Sequence, residues 1–123
     1  MNVPLPCGLT VELALTEDQW EHGLSGRESM GTLDGMLFVF QESKQWPVYA
    51  LDLCCTLYIY WLNEYCEVVA EAVLDRDSSV YLVPILSARY LLEVKYPMPW
   101  TRGTRVNLGV IADEPTRTQD QDS

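Results

Sequence analysis

Histidine is nearly missing from this 123-residue chain and bases are scarce: His22 stands alone, and 8 Lys and Arg face 18 Asp and Glu. The resulting net charge of −10 repels phosphate backbones and anionic headgroups, so neither nucleic acid nor a membrane is expected as a partner. A single imidazole, and no C-x-x-C pair among Cys7, Cys54, Cys55 and Cys66, leaves tetrahedral zinc without donors at workable spacing. No metal and no cofactor is therefore expected. Long apolar runs are absent too, because Asp52, Asn63 and Glu64 interrupt the most apolar stretch well short of a bilayer span. No basic leader precedes an apolar segment after Met1, so a cytoplasmic chain with reduced, buried thiols is the default expectation. A phosphate-cradling glycine loop and a nucleophile motif are likewise missing, which argues against catalysis.

What is present is a hydrophobic content of 48%, enough for one core and too little chain for two domains. Residues 1–9 read as a flexible N-terminal arm, 10–111 as the folded domain and 112–123 as a polar acidic tail. Thr10 to Leu15 alternates as a half-buried strand does, with Val11, Leu13 and Leu15 inward. The following T-E-D-Q places Thr16 and Gln19 for a capping box and Leu15 and Trp20 for a hydrophobic staple. That helix is expected to last one or two turns, weakened at Gly23 and stopped at Gly26.

Beyond it the pattern is almost wholly β. Strands are expected at Met36–Phe40, at 53–62 and 67–74 about an Asn63–Cys66 hairpin connection, and at Val80–Val83, Ala88–Tyr96 and Thr104–Ile111. In the arm after the hairpin, Val68, Ala70, Ala72 and Leu74 would share one dry face. Pro97 and Pro99 make a loop around Trp100. The fold class implied is mainly β: a small barrel or sandwich-like single domain with one short helix.

The stretch LDLCCTLYIYWLNEYC, residues 51 to 66, carries the strongest local signal. On a strand, Cys54 and Cys55 would point to opposite faces and could not share a metal. Leu57, Ile59 and Trp61 would fall on one face, Tyr58 and Tyr60 on the other. If the first face is core, the tyrosines either form a protein interface, together with Tyr65 and Trp100, or are covered within the domain. A Cys–His pair from Cys54 or Cys55 with His22, oriented by Asp52, is conceivable chemistry, as are paired acids at Asp75 and Asp77. A solvated histidine and solubilising loop acids account for the same residues more simply.

The order VELALTEDQWEHGLSGRESM, DGMLFVF, SARYLLEV and RGTRVNL resembles the domain-of-unknown-function 192 family over about residues 10–108. HGLSGRES, around Gly23, Leu24, Gly26 and Arg27, is the most specific piece. The resemblance implies a small β-barrel-like fold with one short helix and no established reaction. It also implies a lysine-asparagine pair, a proline and an aspartate where this chain has Leu51, Asp52, Thr56 and Tyr58. If those polar groups build the family's pocket, most of it has been lost here.

Arg27 and Arg89 are expected to form structural ion pairs, or with Asp52 to hold a ligand. The functional expectation is a non-catalytic structural or assembly protein binding other subunits, its own copies or a larger scaffold. A capsid decoration (cement) protein of a tailed phage, located in the virion if phage-encoded, is its most specific form. The alternative is a soluble module binding a sugar or polar metabolite in a remodelled pocket lined by Asp52, Arg27 and Tyr58.

Overall fold

The alternating segment near the start does form a strand, but its neighbours are set by the whole chain. A computed structural model describes residues 2–49, 51–77 and 81–111. Its elements in order are β1 (Asn2–Pro4), β2 (Thr10–Ala14), α1 (Glu17–His22), β3 (Gly35–Lys44), β4 (Val48–Tyr49), β5 (Leu57–Leu62), β6 (Val68–Leu74), β7 (Tyr81–Leu82) and β8 (Ala88–Val94). Six strands form one sheet in the order β1-β2-β3-β8-β5-β6, while β4 and β7 pair separately. The described residues form a mainly β, sandwich-like single domain, and the large sheet is open, with β1 and β6 at its edges. Among the described residues the sheet does not close into a barrel, one of the two expected forms, since β1 and β6 do not pair.

The expected flexible arm is instead an edge strand, as Asn2 to Pro4 pair antiparallel with Glu12 to Thr10. Leu5 and Leu9 behind it are buried, and that apolar area holds the segment down. The one parallel pair in the large sheet, β2 with β3, needs a crossover, which α1 and the loop after it supply. Thr16 and Gln19 form the expected capping box, but the helix ends at His22 with Gly23 as its C-cap, at φ 53°. It stops before Gly26 because Gly23 already adopts a left-handed turn and donates its amide to Gln19 O. The staple is not the main contact of Trp20. Leu15 is exposed, whereas Trp20 packs on Phe40 and Trp46 and donates its indole N–H to Ala14 O.

Each face of the sheet has its own core. Ala14, Phe38, Phe40, Ile59, Trp61 and Leu91 face α1 and the loops that follow it. Val11, Leu37, Tyr60, Leu62, Tyr90 and Leu92 face the N-terminal segment and the chain around Val106 and Leu108. The tyrosine side of β5 is therefore covered within the domain. Tyr60 is only 5% exposed, its hydroxyl accepts from Met98 N at 2.8 Å and it meets Trp100 edge-on at 5.0 Å. Its expected place at an interface is thus corrected, and Tyr58 and Trp100 are half-buried against the same core.

Two further departures have local causes. A register shift lies between Trp61↔Ala70 and Leu62↔Val68, leaving Val69 unpaired as a bulge. One inserted residue reverses facing, so Val68 joins the core containing Leu62 while Leu74 joins that of Ile59. Residues 104 to 108 bury Val106 and Leu108 as expected, yet form only an isolated bridge, Glu67↔Arg105. Bonds from Val68 N to Thr104 O and from Val106 N to Cys66 O dock this segment on the hairpin, and Gly109, at φ 68°, turns it away. The hairpin connection at Asn63–Cys66 is present, with Cys66 in the left-handed region at φ 64°. The expected tail, 112–123, lies outside the described residues, as do Ser78, Ser79 and Val80 of the predicted loop and strand.

Asp34 ties the entry of the sheet together. Its carboxylate accepts from Thr10 N at 2.7 Å and from the Tyr96 hydroxyl, and its backbone oxygen accepts from Lys95 N at 2.9 Å. The Thr10 amide, then the Tyr96 hydroxyl, holds the Asp34 carboxyl below the usual carboxylate range despite partial burial. The same bond pushes the Tyr96 phenol up.

Candidate functional site

The covering of the α1 side leaves a gap. Trp20, on α1, turns back onto β3 and meets Phe40 edge-on at 5.2 Å. Phe40 stacks on Trp46 at 4.3 Å. Trp46 is pinned twice, donating its indole N–H to Glu42 O at 3.0 Å while its carbonyl accepts from Trp61 Nε1 at 2.9 Å. Tyr49 completes the rim by donating to Glu21 O at 3.2 Å, which ties β4 to the helix. The aromatic wall, Leu53 and the residues after the helix enclose a pocket of about 230 Å³ over Phe38, Leu91 and Glu93.

Glu93 is the unusual member. β8 lies between β3 and β5, where Glu93 is the cross-strand partner of Met36 and of Ile59. It is 5% exposed, and among the described residues its carboxyl has no hydrogen bond and no ion pair. Every side-chain nitrogen or oxygen fully sealed from solvent among those residues has a partner. The Glu93 oxygens are therefore not sealed, and the space they border is the pocket that Glu93 lines. Burial alone pushes this carboxyl from 4.5 up to about 8, so it is largely protonated at neutral pH. A carboxylic acid in that form donates one hydrogen bond, and on losing its proton it becomes a buried anion.

The residues singled out from sequence lie elsewhere. Arg27 pairs with Glu12, both half-buried, which is the structural ion pair expected of it. Arg27→Ala should lower stability by about 1 kcal/mol, since the pair is partly solvent-screened; an unchanged thermal midpoint would count against it. Arg89 forms no ion pair among the described residues and lies over the Tyr90 ring at 5.6 Å. Asp52 is exposed with φ 54°, and its backbone oxygen accepts from Gly26 N at 2.9 Å. Tyr58 belongs to the opposite face of the sheet, so Asp52, Arg27 and Tyr58 do not line a common pocket. Tyr65 stands exposed at the hairpin tip, where its amide donates to Asn63 Oδ1.

Cys54 and Cys55 precede β5 in a bend, with Sγ atoms 4.0 Å apart, and among the described residues no two cysteines are joined in a disulfide. Burial, then the neighbouring Cys54, pushes the Cys55 thiol up, which disfavours the reactive thiolate. His22 lies at the exposed end of α1, on the pocket rim.

Glu93 was missed because the sequence analysis treated Ala88 to Tyr96 only as a strand. The available signal was a lone acid in Tyr90-Leu91-Leu92-Glu93-Val94, a run apolar on both alternating faces. Such a run belongs to a strand buried on both sides, and an acid within it must be buried as well.

The pocket sits between HGLSGRES and the DGMLFVF and SARYLLEV strands, and the profile of the domain-of-unknown-function 192 family, described as an uncharacterized ACR, matches residues 7–110. This chain belongs to that family. Two solved structures share the family member's fold. One, from Sinorhizobium meliloti 1021 and described as a candidate transcription regulator, has 23% identity and a TM-score of 0.70 over 85% of this chain and 88% of its own. The other, a protein of unknown function from Novosphingobium aromaticivorans, has 21% identity and a TM-score of 0.62 over 76% of this chain and 70% of its own. At those identities the likeness is one of fold alone. No curated protein matches the family member.

Proposed function

We propose that this protein is a non-catalytic binding module for a small ligand with an apolar body, held in the pocket between α1 and the sheet. The observation that carries the reading is Glu93, a carboxyl without a partner on the floor of an aromatic-walled cavity. Burial without compensation makes this group a cost to folding. Packing gives no reason for an acid there, whereas a ligand that meets the carboxyl does. The alternative expectation from sequence was a sugar or polar metabolite; an apolar body is proposed instead because aromatic and aliphatic side chains form most of the wall.

The test is an NMR fragment screen following the indole signals of Trp20 and Trp46. Aromatic fragments should shift both, and Leu53→Trp, which fills the pocket from its loop, should remove the response. Fragments that shift neither indole, or that act equally on the filled variant, would overturn the reading.

A second reading, assembly, is favoured by one surface. Tyr49 and Tyr81 stack at 6.4 Å across β4 and β7, and Val83, Ile85 and Leu86 beside them are exposed, Ile85 at 85%. Contiguous exposed apolar side chains suit a second copy of this chain or a larger scaffold, of which a phage capsid is the specific form. Light scattering on the same sample tests self-association: a dimer dissociated by Ile85→Glu supports it, and a monomer at high concentration opposes a second copy as the occupant.

A further inference from the structure

We infer that the ligand taken by this pocket is a hydrophobic amine, bound as its cation with the ammonium group against the Glu93 carboxylate. This rests on the pocket being a ligand site and names the chemistry it selects. The charges around the cavity are one-sided. Glu17 and Glu21 stand on its rim, Glu93 forms part of its floor, and among the described residues no lysine or arginine lines it. His22 is the one lining residue that adds positive charge when protonated. The nearby Lys44 is exposed, paired with Glu42 at 2.8 Å and 5.3 Å from the centre of the Trp46 ring. That contact shows an ammonium accepted over the ring of one wall residue, although Lys44 does not itself line the cavity. An anionic ligand would meet three carboxyl groups and no lysine or arginine. A neutral ligand could meet the protonated Glu93 carboxyl as donor or acceptor, but it would leave the acidic rim without a role.

Proton linkage makes the proposal measurable. Of the elements packed over Glu93, α1 brings Glu17, Glu21 and His22, β4 brings Tyr49, and the 51–56 loop brings Cys54 and Cys55 beside Leu53. The flanking partners Met36 and Ile59 do not titrate, and the Glu12–Arg27 pair lies beyond Met36. With Glu93 at about 8, taking up a cation at pH 7 requires the loss of one proton, a penalty of only about tenfold in affinity. Affinity for a permanent cation should therefore rise about fifty-fold from pH 6 to pH 8.

The experiment titrates benzyltrimethylammonium, benzylamine and benzyl alcohol into the full chain at pH 6, 7 and 8, read at the same indole signals. The titration is done in the His22→Gln background, because imidazoles change charge in this range. Both cations should bind at least tenfold more tightly than the alcohol at pH 8, with the steep rise described. Adding Glu93→Gln should abolish the pH dependence and most of the preference. Binding of the alcohol without the cations would overturn the amine assignment and leave the pocket reading standing. Binding of neither class would overturn both. Cation binding that is flat with pH, or unaltered by Glu93→Gln, would place the cation away from Glu93 and also overturn the proposal.

Discussion

Glu93→Gln should make this protein more stable by about 3 kcal/mol at pH 7 and by somewhat more above pH 8, although it removes a group from the floor of the pocket. The sign follows from the direction of the shift. The folded state holds the Glu93 proton up to about 8, whereas the unfolded chain releases it near the ordinary 4.5. Between those values the native state binds more protons, so stability from this group is complete below pH 4.5, declines as pH rises and levels off above 8. Glutamine resembles the protonated acid in shape and has no proton to lose. The variant and the parent should therefore agree at pH 4 and diverge steadily above it. Urea unfolding at pH 4, 7 and 8.5 checks this, and parallel pH profiles for the two proteins would refute a buried, unpartnered carboxyl. A gain of 3 kcal/mol is a large share of the 5–15 kcal/mol typical of a domain. An acid with that effect is understandable where it has a task that glutamine cannot perform.

The second large effect is expected at Gly35. A Cβ built there would stand 2.0 Å from Glu93 O and 2.9 Å from Val94 Cα, all backbone atoms of the neighbouring strand. No rotamer can relieve that contact. Gly35→Ala must part β3 from β8 in the middle of the sheet, and a loss of about 3 kcal/mol or more is expected, against the gain of about 0.4–1 kcal/mol that alanine gives over glycine through the unfolded chain at a compatible position. The separation also lets water reach Glu93, so the remaining folded protein should show a weaker fall in stability between pH 5 and pH 8. Denaturant midpoints at those two pH values measure both parts, and a change below about 0.5 kcal/mol would show that the strands accommodate the methyl group. Glycine is required here by the approach of two backbones, a reason independent of turn geometry.

Local rules carried the sequence analysis far along the elements themselves. The T-E-D-Q cap, the Met36–Phe40 strand and the Asn63–Cys66 connection depend on residues within a few positions of one another, and each was readable for that reason. Alternation in Tyr58 to Trp61 likewise gave the correct division of side chains between two faces. It could not give what covers each face. The lid over Tyr60 comes from Met98 and Trp100, some 40 residues later, so an aromatic pattern suited to an interface became interior. The bulge at Val69 reversed the expected facing of Val68, because register is settled by pairing between strands and leaves little trace in either one.

The same division holds for the site. Composition and local alternation by themselves determined a small, acidic, mainly β domain, because solvation and apolar burial act on totals and on near neighbours, but not that its core divides into one on each face of the sheet. Only the tertiary structure decided that Glu93 would lose most of its water. Its burial requires β8 to lie between β3 and β5, and α1 with Trp46 to close above it, and those segments are separated from it by more than 30 residues of chain. A carboxyl's affinity for its proton depends on what surrounds it in space, and that environment exists only once the distant segments have met.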